Sequence, residues 1–344
     1  MSSEFLANSL FMMIAFTWMM YLSQELFISG SSALNWTLSK TEEDRKAIQE
    51  ASGLHWDGIE VWLIAALVVT LGAFPLVFAT SFTMLYVVFF LLLYALITRG
   101  VVIETLFKLD HPKWVKYNAI AWALSSAMIL FFLGIYVTSL FYGLPFENGE
   151  MSGGFLSIFS VTTIAGGLLF FSLGLVAGGA WIALSTTETL AKRALDLIKY
   201  KGLFVLVPVL LLLVYMGFNV KDNSIFIGEL FSASPVLFVL PALTVLASLG
   251  VLYFGWKQDK KWLFVFSVAT MALYVITGFV GSYPIALPSN IDPASGISIF
   301  DAITQVKGGT IIFFVVLFAY PVIIGYQSWK YRRFARRLTK GEVE

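Results

Sequence analysis

Uninterrupted apolar runs of about 20 residues, the length of helix that crosses a bilayer core, recur from one end of this chain to the other. A soluble fold cannot bury so many wholly apolar helices. In hydrocarbon only helices and closed barrels satisfy their own backbone groups. The chain therefore reads as an all-α polytopic membrane protein. Of its 344 residues only 12% are charged, against about 25% in soluble domains. The polar connections are short, so no sizeable soluble domain is expected. A net charge of +1 points to no nucleic-acid partner. The absence of cysteine rules out disulfides, thiolate metal sites and reactive thiols.

Nine spans are expected, at roughly 6–33, 58–79, 81–104, 115–142, 155–184, 202–219, 235–255, 262–283 and 310–330. The opening MSSEFLAN carries no Lys or Arg, unlike the basic start of a cleavable signal. The first run is thus read as a retained helix. Basic residues favour cytoplasmic loops. With the N-terminus outside, every one of the 22 Lys and Arg residues except Lys221 and Lys307 falls on the inner side. Glu147, Glu150, Asp222, Glu229, Asp292 and Asp301 fall outside. The C-terminus is then cytoplasmic. The expected organisation is one integral membrane domain, 1–344. A first four-helix bundle covers roughly 1–150 and a second 151–283. Residues 284–344 supply an outer loop, a peripheral last helix and a basic tail. The fifth span is long enough to tilt. After it, TTETLAKRALDLIKYK (186–201) reads as an amphipathic inner extension, most simply a solvated basic connector.

The chemistry that is missing narrows function. The two histidines, His55 and His111, lie in inner loops, so no pair faces across a bundle to ligate a haem. Methionine can ligate a haem, but on an apolar helix it usually packs. No phosphate-binding loop, dinucleotide fingerprint or H-E-x-x-H motif is present. The chain does not read as an enzyme by itself.

Acidic side chains inside a bilayer are costly and usually functional. Four sit within or at the ends of spans: Glu25, Asp57, Glu60 and Glu104. Asp57 and Glu60 are three apart and share a helix face. Spans one and two are joined by an inner loop, so Glu25, Asp57 and Glu60 are expected to converge in a polar pocket, as a proton path requires. Plainer readings stand beside this one. Asp57 in HWDG suits a helix N-cap, and Glu60 suits interfacial solvation. Arg99 either snorkels to the interface or pairs with one of the acids. Trp56 suits the aromatic belt, and Trp62, farther in, suits packing. Gly174 and Gly178 form a G-x-x-x-G, a signal for close helix contact.

Several strings, in order along the chain, resemble subunit II of the cytochrome bd-type quinol oxidases. They are LHWDGIEVWL (54–63), ITRGVVIE (97–104), FYGLPF (141–146), GAWIALSTTETLAKRA (179–194), YPIALPSNI (283–291), ISIFDAIT (297–304) and AYPVIIGYQSWKYRRF (319–334). The resemblance implies a nine-span, haem-free partner of a larger subunit I in a bacterial or archaeal cytoplasmic membrane. Haem b and haem d (or a further haem b) would sit in subunit I. The complex would oxidise quinol and reduce O2 to water with cytoplasmic protons. Small accessory subunits and membrane lipids are further expected partners. Subunit II would support assembly and supply part of a proton route through Asp57, Arg99 and Glu104. One departure is visible. Where the family's first span often reads D-G-F-D-M-G, this chain has Glu25 at the first acid and Ile28 at the second. Glu60, at a position without a characteristic family acid, offers a replacement. The alternatives are a proton-coupled secondary transporter and a purely structural subunit of the same oxidase.

Overall fold

The computed structural model describes residues 1–53, 56–105, 111–147, 149–204, 206–207, 210 and 234–340; for Pro112 and 332–340 it describes the backbone alone. Among the described residues eight helical runs are long and apolar enough to cross a membrane. The chain is a multi-pass membrane protein. The expected sixth span, 202–219, lies mostly outside the described residues.

The helices are α1 (Ser3–Leu38), α2 (Glu42–Gly53), α3 (Trp56–Ala73), α4 (Pro75–Met84), α5 (Tyr86–Thr105), α6 (Pro112–Tyr142), α7 (Val161–Ser185), α8 (Glu188–Leu197), α9 (Val239–Lys257), α10 (Lys260–Ser282) and α11 (Val306–Lys340). At about 1.5 Å per residue, the 36 residues of α1 exceed the bilayer core. Starts follow side-chain chemistry: Ser2, Ser160 and Asp259 accept the first free N–H groups of α1, α7 and α10. Gln258, at φ 58°, makes the tight α9–α10 turn.

Three boundaries differ from expectation. The break between spans two and three is not at 79–81. Pro75 lacks an amide hydrogen and disfavours helical geometry in the residue before it, so Phe74 leaves the helix at φ −130°, ψ 68°. A short helix, α4, follows, and the next interruption is at Leu85. Span five starts at Val161 rather than 155, because Phe155–Ile158 is a separate 3-10 turn. The extension after it is more than a solvated connector. Leu190 and Ala194 of α8 are buried against Leu34, Leu38, Ile48 and Ile182.

α1 is the central element, packed against α3, α6, α7 and α10. Its contact with α7 is backbone to backbone. A Cβ on Gly30 would overlap the Gly174 carbonyl, and one on Gly178 would overlap the Ser31 amide. The expected G-x-x-x-G contact is therefore made within the chain. Most Lys and Arg residues cluster at one end of the helices, with α2, α8 and the α9–α10 turn; this is called the basic end below. At the opposite end, β1 (Phe146–Glu147) pairs with β2 (Glu150–Met151), and β3 (Ile285–Leu287) with β4 (Ile297–Ser298), both antiparallel. Leu144 N–H donates to Pro288 O at 3.0 Å and Thr304 N–H to Ala73 O at 2.9 Å, tying the loops there together.

Candidate functional site: one arginine between two carboxylates

Three helices bring their only deeply placed charges to one point. Arg99 of α5 has a side chain 1% exposed. Its Nη1 donates to Glu25 Oε1 of α1 and, at 2.9 Å, to Ser29 Oγ. Its Nη2 donates to Glu60 Oε1 of α3 at 2.6 Å. Ser29, one turn after Glu25, donates to the same Glu25 oxygen. Arg99 thus does not snorkel. A guanidinium is a planar fork of donors that cannot shed its charge, and here it spans carboxylates 35 positions apart in sequence (60 − 25). Glu25 is 1% exposed and Glu60 24%, so the pair has a sealed member and one in contact with the surroundings. Ile28, where the resemblance leads one to expect a second acid, is fully buried among apolar side chains.

Asp57 stands apart. It lies in the first turn of α3, which begins at Trp56, so it is not the N-cap. The position before that helix, His55, lies outside the described residues. Asp57 is 63% exposed, accepts from the Gly58 amide at 2.8 Å, and is paired with Lys330 of α11. Next to it, Trp62 Nε1 donates to Gln327 Oε1 at 2.7 Å, and Gln327 Nε2 donates back to Gly58 O. Trp62 is fully buried, edge-on to Phe16. Trp56 packs on Val102, Ile103 and Trp122. Glu104, five residues after Arg99, is exposed on another face of α5. Of the four acids, Glu25 and Glu60 converge, and Asp57 and Glu104 do not join them.

The partners Ser29, Gln327 and Lys330 were not singled out from sequence. Ser29 had a signal, since Tyr21, Glu25 and Ser29 recur every four residues in an apolar helix. Gln327 and Lys330 had none, lying some 270 positions from their partners. Among the described residues no group of three His, Asp or Glu side chains is placed to hold a metal. His111 is an exposed cap of α6, accepting from the Lys113 amide at 3.3 Å.

A second ionic junction lies at the basic end. Asp44 of α2 accepts from Arg193 of α8 at 2.5 Å, from the Lys40 amide at 3.1 Å and from the Thr41 amide at 3.2 Å. α2 itself is polar and lies outside the apolar spans. The Arg193 bond, helped by the two amides, holds the Asp44 carboxyl at about 2.

Comparison with known proteins places the chain as a whole. A family model described as cytochrome bd terminal oxidase subunit II matches residues 6–334. The chain is 24% identical to the cytochrome bd-I ubiquinol oxidase subunit 2 of Escherichia coli K12, and 26% identical to a probable cytochrome oxidase subunit 2 of Haemophilus influenzae, over 92% of this chain and 91% of either relative. It is 27% identical to the cytochrome bd ubiquinol oxidase subunit 2 of Bacillus subtilis, over 96% of both. Its fold matches a chain of the bd oxidase from Geobacillus thermodenitrificans, with TM-score 0.72 and 15% identity over 97% of this chain and 99% of that one.

Proposed function

The chain belongs to the cytochrome bd terminal oxidase subunit II family, and from that premise we propose that Glu25, Arg99 and Glu60 form a proton entrance for a quinol-oxidising, oxygen-reducing complex. The observation that supports this reading is one buried guanidinium bonded to two carboxylates. With both acids ionised the cluster carries one net negative charge in a medium of low dielectric. One proton neutralises it. Glu60 is in contact with the surroundings and takes that proton up. The shared Arg99 couples it to Glu25, because a proton arriving on one acid frees the guanidinium to bind the other more tightly. Asp57 and Glu104, both exposed, act as collecting groups outside the cluster, with Lys330 setting the field at Asp57.

The proposed setting is a bacterial cytoplasmic membrane, with the basic end cytoplasmic, the N-terminus outside and nine spans in one membrane domain. A larger subunit I carries haem b and haem d (or b), and this chain carries none. Quinol supplies the electrons and O2 becomes water. Outward-facing Ile64, Val68, Phe90 and Leu93 suit contact with subunit I and lipid. A purely structural role has its own support, since Arg99 fastens α1, α3 and α5 together. Glu25→Gln in the assembled oxidase separates the two readings. The expected result is quinol-driven oxygen consumption reduced about 100-fold, the lower range for loss of a proton-transfer group, with the haem spectrum intact. Undiminished turnover, or loss of haem together with turnover, would reject the proton role.

A further inference from the structure

The half of α11 that follows Pro321 is attached to the rest of the chain by polar groups. Pro321 lies inside the helix and, lacking an amide hydrogen, makes no bond to the turn before it. Among the described side chains beyond it, Gln327 and Lys330 are buried, while Val322, Ile324, Tyr326 and Trp329 face outward. Helices in lipid gain little from turning apolar side chains toward one another, so hydrogen bonds and close packing decide how they sit. Gln327 makes two such bonds with one amide group. Its Oε1 accepts from Trp62 Nε1 at 2.7 Å, and its Nε2 donates to Gly58 O. A Cβ on Gly58 would lie 3.6 Å from Gln327 Nε2 and 3.8 Å from Lys330 Nζ, so both side chains cover that stretch of backbone.

Gly58 and Trp62 are four residues apart, about 40° from each other around the helix. Glu60, midway between them, points about 160° from either, to the opposite face. The start of α3 is therefore held from two sides at one level. Gln327 holds Gly58 and Trp62, and Arg99 holds Glu60. A turn of α3 that carried Glu60 away from Arg99 would break both Gln327 bonds. Water cannot replace the bond to Trp62, which is fully buried. The Trp62 ring is itself wedged, with its centroid 6.1 Å from that of Phe16 on α1 and 5.7 Å from that of Tyr320 on α11. The Tyr320 hydroxyl donates to Met13 O of α1 at 3.3 Å. Gln327 thus acts on a ring that has no room to follow a rotating helix.

We propose that Gln327 is a positioning residue: it fixes the rotation of α3 that aims Glu60 at Arg99, although it touches neither. Its effect on turnover rests on the proton role proposed above for Glu60; its effect on the geometry of Glu60 does not. The side-chain type suits the task. An amide presents an acceptor and a donor side by side, and the two bonds need one of each. Leucine has similar bulk and neither. Lys330 cannot take over, because an ammonium only donates. Its own partner, Asp57, is 63% exposed, and a pair with so exposed a member constrains a helix weakly.

The test is a double-mutant cycle in the complete oxidase, read as quinol-driven oxygen consumption per haem. Gln327→Leu is expected to lower the rate about threefold, with the haem spectrum unchanged, and to have no further effect in a Glu60→Gln background. A merely structural role costs the same factor in both backgrounds, and that result overturns the proposal. Gln327→Leu leaves the Trp62 donor buried and unpaired, which is destabilising. Should it fail to assemble, the pair Gln327→Leu with Trp62→Phe removes the stranded donor and carries the same expectation. A second readout does not depend on turnover. The infrared carboxyl bands of the oxidase that vanish in Glu60→Gln report the hydrogen bonding of Glu60 itself, and they are expected to shift in Gln327→Leu. Bands that stay in place overturn the positioning role whatever the rate. If Glu60→Gln turns over normally while Gln327→Leu moves the bands, the positioning stands and the proton role of Glu60 falls. If Glu60→Gln is impaired while Gln327→Leu changes neither rate nor bands, the proton role stands and the positioning falls.

Discussion

Two ion pairs hold α3, one at each end of a scale of burial. Glu60 bonds to an arginine that is 1% exposed, and Asp57, less than a turn away, bonds to a lysine from an acid that is 63% exposed. Both use the same kind of contact. Their energetics differ because desolvation differs. Charges taken out of water are costly, and removing one partner strands the other at about 3–5 kcal/mol. Exposed pairs contribute about 0–1 kcal/mol. A family string therefore does not rank its own acids. HWDG contains the recognisable aspartate, yet it is the glutamate three residues later that bonds to the buried arginine.

The sharpest way to break this contrast is to neutralise each partner in turn. Arg99→Leu strands two carboxylates and is expected to lower the yield of assembled, haem-containing oxidase severely, by about 3–5 kcal/mol in stability. Asp57→Asn, purified beside it, is expected to leave assembly unchanged within about 1 kcal/mol. Equal losses in the two preparations would mean that burial does not set the difference. Glu60→Gln comes next. The amide oxygen keeps a hydrogen bond from Arg99 but cannot take up and release a proton, so oxygen consumption and proton uptake should fall several-fold without loss of haem. Unchanged rates would remove Glu60 from the route. The smallest effect belongs to the Asp44–Arg193 junction. The carboxyl is held at about 2, below its ordinary 3.8. Its stabilisation is fully present above the ordinary value and is lost as pH falls through about 2. Thermal melts of the wild type and Asp44→Asn should differ at neutral pH and converge in acid. A constant gap would show that the contact does not contribute through its charge.

Much of the architecture was readable from sequence because apolar length is a one-dimensional property. Eight of the nine expected spans coincide with helices. The misplacements are local. Pro75 ends α3 early, and the break at Leu85, which no residue type announces, splits off α4. The docked face of α8 was hidden by its Lys and Arg content, although Leu190 and Ala194 sit at helical spacing. The site was legible only in part. Glu25, Glu60 and Arg99 each stand out as charges in apolar runs. Their meeting depends on how α1, α3 and α5 are arranged, which spacing along one helix cannot supply.

The glycine contact between α1 and α7 fixes more than a crossing. Gly30 and Gly178 touch by backbone, so no side-chain rotamer change can slide one helix along the other. Glu25 is five residues from Gly30, which gives its carboxyl a set level relative to α7. The cluster is in effect surveyed from a benchmark. If protons are admitted and refused during turnover, the moving parts are Arg99, Glu60 and the helices that carry them, while α1 serves as the stator.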